Sequence, residues 1–128
     1  MIRALRSNRQ AFTLIEMSVV VAIIGLLYVT VVPMYGRTIQ RSKETALKKD
    51  LYVFRTTLND YYKDHEKWPE SLDTLVTQGY IRSIPPDPFT EKTDTWVTVP
   101  SQPGNNDVYD VKSGAEGQNL DGISYADF

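Results

Sequence analysis

Residues 17–36 run for 20 positions without a formal charge. Twenty residues is what an α-helix needs to cross the hydrocarbon of a bilayer about 30 Å thick. A segment of this kind must be covered by lipid or by other chains, and with 128 residues in all the chain has room for one small module beside it. Arg3, Arg6 and Arg9 precede the span with no acid among them, which is the shape of a targeting segment. The apolar run is too long for an ordinary secretory h-region, and Pro33-Met34-Tyr35-Gly36 offers no small-x-small cleavage pattern. The span is therefore expected to remain in the product. Basic residues before it and a charged, polar chain after it place the N-terminus in the cytoplasm and the bulk outside. The sequence has no cysteine, so disulfides, thiolate metal sites and a cysteine nucleophile are excluded, while an extracytoplasmic location is not.

Beyond Gly36 the apolar residues return at helical intervals: Ile39, Ala46, Leu47, Leu51, Phe54, Leu58, Tyr61 and Tyr62. One helix is expected from near Phe12 to about Asp64, roughly 80 Å long, with an apolar first half and an amphipathic second half. Gly25, Pro33 and Gly36 are points where it can loosen. Pro69 ends the pattern. Ser71 to Val76 reads as a short capped helix closed by Gln78-Gly79, and Pro85-Pro86-Asp87-Pro88 forces an extended, rigid loop. Residues 95–99 and 108–111 form two short β-branched or aromatic runs around the turn signal Pro103-Gly104-Asn105-Asn106. They predict an antiparallel pair packed on the stalk. The fold class is thus α+β: a long N-terminal helix, transmembrane in its first half, carrying a small C-terminal head with a short antiparallel sheet and a long ordered loop.

Ala11-Phe12-Thr13-Leu14-Ile15-Glu16, followed by the apolar residues 17–27, resembles the type IV pilin and pseudopilin superfamily. Its prepilins carry a short basic leader, a cut before Phe, then TLIE and an apolar helix. The resemblance implies a leader at residues 1–11, cleavage between Ala11 and Phe12 by the prepilin peptidase, and methylation of the new Phe12 amine. Ala11 stands where the family usually has Gly. A core helix at residues 12–36, a stalk at 37–65 and a head at 66–128 follow. An ionised carboxylate at the edge of an apolar span is costly unless paired, so Glu16 needs a cation. The Phe12 amine of a neighbouring subunit supplies one on assembly; a Glu16 that merely reaches the headgroups is the alternative.

The head narrows the resemblance to the major pseudopilin of type II secretion systems, through Gly79-Tyr80, Pro85-Pro86-Asp87-Pro88, Tyr109-Asp110, Ser113, Gly114-Ala115-Glu116-Gly117 and Ala126-Asp127. Asp107, Asp110, Glu116, Asp121 and Asp127, with turn-forming Gly114, Gly117 and Gly122, have the oxygen chemistry for calcium, although not the spacing of an EF-hand. The resemblance maps the family's two main carboxylate ligands onto Asp110 and Glu116, with nearby backbone carbonyls completing the shell. Glu116 replaces the usual Asp, and the interval is one residue shorter. The other reading is a solvated loop rich in Asx turns and held by Tyr109, Tyr125 and Phe128.

Removal of the leader leaves 11 bases against 16 acids, a net charge of −5, so no strongly basic nucleic-acid footprint exists. Arg37, Arg41, Lys43, Lys48, Lys49 and Arg55 read as a solvated helix face near anionic headgroups. His65 is the only histidine and has no nucleophile partner; Ser42-Lys43 forms no catalytic constellation. The chain is expected not to be an enzyme. The leading expectation is a structural subunit of a type II secretion pseudopilus, drawn from the inner membrane with its head in the periplasm. Its partners are like and related subunits, the prepilin peptidase, and an assembly platform with its ATPase. A type IV pilus subunit for adhesion, motility or DNA uptake is the second reading. A membrane-anchored binding module that never polymerises is the third, and Glu16 disfavours it.

Overall fold

The computed structural model describes residues 11–128 in full and the backbone of residues 2–10. Helix α1 spans Ile2–His65 and continues through Pro33. The chain divides into two compact units, Met1–Gln40 and Arg41–Phe128.

In the first unit every residue from Ala11 to Ile39 is exposed, including the large apolar side chains of Leu14, Ile15, Ile23, Leu27 and Val31. This segment is long and apolar enough to cross a membrane. Its few hydroxyls fold back onto the helix: Ser18 donates to the Leu14 carbonyl at 2.8 Å, Thr30 to Leu26 at 3.1 Å and Thr38 to Met34 at 2.8 Å. The protons of these three hydroxyls are thereby satisfied within the helix.

The second unit has a core of its own. Leu47, Leu51, Phe54, Leu58 and Tyr61 recur at three- and four-residue steps on α1 and are buried together with Leu72, Leu75, Trp96, Val108, Val111, Ala115 and Tyr125. Phe54 meets the Trp96 ring edge-on with centroids 5.0 Å apart. Ile39, Ala46 and Tyr62, which share the helical periodicity, are exposed instead, because they lie beyond the ends or at the flank of the covered stripe.

Helix α1 stops at His65, one residue past the expected end, and Glu66 takes a left-handed φ of 57°. Helix α2 covers Leu72–Thr77. Ser71 sits at its N-cap position but makes no capping bond; its hydroxyl lies 3.2 Å from that of Thr74. The C-terminal end follows the expected Gln78-Gly79 pattern. The Gln78 N–H bonds the Thr74 carbonyl at 2.9 Å, Gly79 adopts φ 83°, and the Tyr80 N–H returns to Leu75 at 2.9 Å.

The strands are shorter than the runs that announced them: β1 is Val97–Val99 and β2 is Asp110–Lys112, antiparallel, with Thr98 opposite Val111. Trp96 leaves the ladder to enter the core, where its indole N–H donates to the Pro85 carbonyl at 2.8 Å. Gly104, with φ 88°, shapes the connecting turn, closed by Asn105 N–H to Gln102 at 3.1 Å. A 3₁₀ turn, Tyr125–Asp127, closes the head.

Candidate functional site

Phe12 and Glu16 are four residues apart on α1, which puts both on one helix face. Phe12 is 70% exposed and Glu16 is exposed, and Glu16 forms no ion pair among the described residues. A carboxylate so placed has two ways to lower its energy in a membrane or a filament: reach water, or meet a cation brought by another chain. The peptide bond between Ala11 and Phe12 lies within the helical backbone.

The second candidate is the C-terminal segment around Asp110 and Glu116, where calcium is expected. Asp110 Oδ1 accepts a bond from Arg55 Nε at 2.9 Å and another from the Val111 N–H at 2.8 Å. Glu116 is exposed. Among the described residues no three His, Cys, Asp or Glu side chains come together in a way that could hold a metal ion. Calcium takes six to eight oxygens, and a guanidinium on the same carboxylate oxygen repels a dication. The observed cationic partner of Asp110 Oδ1 is thus a guanidinium.

The loop beyond Glu116 is closed by its own backbone. Asn119 Oδ1 accepts from the Asp121 N–H at 3.0 Å and the Ile123 N–H at 2.8 Å, an Asx-type turn, while Tyr125 N–H bonds Gly117 at 3.2 Å. Tyr125 is buried, stacks on Phe89 at 4.1 Å and meets Phe128 edge-on at 5.3 Å. Tyr109, expected in the same role, is 52% exposed and packs its edge on Trp68, which stacks on Tyr62.

Asp87, part of the Pro-rich loop, is fully buried. Its Oδ1 accepts from the Phe89 N–H at 2.8 Å and its Oδ2 from the Ser113 hydroxyl at 2.5 Å. Its backbone bonds Lys92 and Glu91, and Ser113 in turn accepts from the Ala115 N–H. Asp87 thereby joins the Pro loop to the Gly114 region. The sequence hint is an acid held between two prolines beside an aromatic residue. Asp50 on α1 has its carboxyl pushed above the usual range, first by burial and then by the negative charge of Asp87. Asp107 is lowered because the Ser101 hydroxyl and N–H both donate to it. His65 is exposed, stacks on Tyr61 at 4.1 Å and places Nδ1 3.2 Å from the Tyr61 carbonyl oxygen.

An apolar helical segment long enough to cross a membrane, with a carboxylate near its start, together with a small α+β head, has the layout of a prepilin-like subunit. Residues 6–30 match the prokaryotic N-terminal methylation motif. The chain is 30% identical to the type II secretion system core protein G of Pseudomonas aeruginosa, over 88% of each chain. It is 28% identical to that of Klebsiella michiganensis, over 88% of this chain and 87% of that protein. It also shares 27% identity with competence protein ComGC of Halalkalibacterium halodurans, over 58% of this chain and 72% of that one. No solved structure matches. The chain belongs to the type II secretion system core protein G family of pseudopilins.

Proposed function

We propose that the chain is a structural subunit of a type II secretion pseudopilus, held in the inner membrane by residues 12–36 until a filament takes it up. The observation that carries this reading is Glu16: an exposed carboxylate on an apolar helix, unpaired within the described chain and four residues from Phe12. The prepilin peptidase cuts between Ala11 and Phe12, the new amine is methylated and stays cationic, and Glu16 of one subunit neutralises Phe12 of the next. In a dry filament core this pair is worth far more than in water. The N-terminus faces the cytoplasm, the head faces the periplasm, and an assembly platform with its ATPase supplies the work. The chain acts by packing and has no catalytic role.

The test is N-terminal sequencing and mass analysis of the protein recovered from membranes of cells with and without prepilin peptidase. The expected product begins at Phe12 with one added methyl group, and only when the peptidase is present. A start at another residue would sink the roles given to Phe12 and Glu16. The match to ComGC favours a second reading, a subunit of a competence-type filament. Loss of enzyme export on deletion, without loss of DNA uptake, separates the two.

A further inference from the structure

We infer that the C-terminal segment of this chain is fastened by Arg55 in place of a metal ion, so that the head folds and holds its shape without calcium. Arg55 lies on the buried half of α1 and spreads its fork over three separate acceptors. Nε donates to Asp110 Oδ1 at 2.9 Å on β2, and Nη2 donates to the Phe128 carbonyl at 2.7 Å, with the Val111 carbonyl at 3.5 Å. These are a side-chain carboxylate and two main-chain oxygens, the oxygen types that a hard cation would collect. A guanidinium collects them with directed N–H bonds from one covalently anchored side chain.

The neighbouring contacts have the same direction, from α1 to the last residues. Tyr125 donates its hydroxyl to Glu44 at 3.1 Å, and the Lys48 ammonium lies 5.2 Å from the centre of the Phe128 ring. Three helix side chains, Glu44, Lys48 and Arg55, thus hold a segment that a loop-bound ion would hold from within. A cleft of about 210 Å³ lined by Arg55, Asn59, Tyr109 and Asp110 adjoins the clamp. Because Arg55 is 40% exposed and Asp110 26%, the clamp is open to counterions, and its strength falls with ionic strength rather than with chelation. Arginine stays charged across all physiological pH, so the cation cannot be lost.

The experiment uses the intact chain in detergent. Thermal melts at fixed ionic strength with calcium chloride and with a chelator are combined with elemental analysis after dialysis. Hydrogen exchange of the Ala126, Asp127 and Phe128 amides is then measured in the parent and in Arg55→Gln, Arg55→Lys and Asp110→Asn. The expected parent melts identically with and without calcium and holds no stoichiometric calcium. Arg55→Gln exchanges these amides at least about tenfold faster, and added calcium does not restore them. Arg55→Lys, which keeps the charge but not the fork, falls between, and Asp110→Asn shows the same local loss. One calcium ion per chain with a lower melting temperature on chelation overturns the inference. So does parent-like exchange in Arg55→Gln. If that variant does not fold, the melts and metal analysis of the parent still decide.

Discussion

The two halves of α1 both carry large apolar side chains and use them in opposite ways. From Ala11 to Ile39 it is all exposed, whereas Leu47, Leu51, Phe54 and Leu58 are each no more than 1% exposed. The second unit spends its apolar side chains on its own core, and so can be stable by itself. The first keeps them for other molecules, whether lipid or neighbouring helices. The difference lies in the polar residues between. In the first unit Ser18, Thr30 and Thr38 turn their hydroxyls back on the helix, and Glu16 is the one carboxylate of residues 11–39. In the second, charged side chains such as Arg55 and Glu44 reach across to the head.

The strongest way to break this comparison is to remove Glu16. Glu16→Gln is expected to leave membrane insertion and the melting of the head untouched while sheared filament yield falls at least about tenfold, the scale of an uncompensated buried charge. Normal filament yield would reduce Glu16 to a headgroup contact.

Next in size is a matched pair of truncations. Phe54→Ala is expected to destabilise the detergent-solubilised chain by about 3–5 kcal/mol, because it opens a cavity against Trp96. Leu27→Ala, made where the side chain is 58% exposed, should change the same melt by less than about 0.5 kcal/mol. Equal effects in a denaturant titration would mean that the two units do not divide their apolar surface as described.

Smaller again is Gly114→Ala. A Cβ there would lie 2.0 Å from the Thr95 carbonyl oxygen, so backbone must move, at about 1–3 kcal/mol. Gly25→Ala, where nothing lies within 4 Å, should leave head stability as it is. The comparison is read by thermal melts of both variants.

The smallest effect concerns Asp50. Its raised carboxyl pKa means that the folded head binds this proton more tightly than the unfolded chain. The associated stability is complete below the ordinary value of 3.8 and is lost as pH rises through the folded value. Asp50→Asn should therefore stabilise the head at neutral pH by less than about 1 kcal/mol, with the gain vanishing below the ordinary carboxylate range. Melts across pH that show a constant difference would remove the coupling to Asp87.

The sequence made legible what depends on neighbours along the chain. Periodicity located Leu47, Leu51, Phe54, Leu58 and Tyr61; Pro69 marked the end of the stalk; and Gln78-Gly79 closed α2. The N-terminal methylation motif at residues 6–30 was equally local. Contacts between distant residues were not legible. Nothing local to Asp110 points to Arg55, which stands 55 residues earlier in the chain. Asp87 likewise finds Ser113 at a separation of 26 residues, so its place at the centre of the head had no local sign beyond the flanking prolines.

The contact between Tyr125 and Glu44 spans 81 residues, and that between Phe128 and Arg55 spans 73. Loops of that length must close before either bond contributes anything, which makes them late events on the folding path. Helix α1 needs no such wait, since its own hydrogen bonds are local and form within microseconds. Leu47 and Leu51 on the helix are therefore covered by partners that arrive from far along the chain. Slow closure of these long loops would leave that apolar stripe uncovered for longer than the helix itself takes to form.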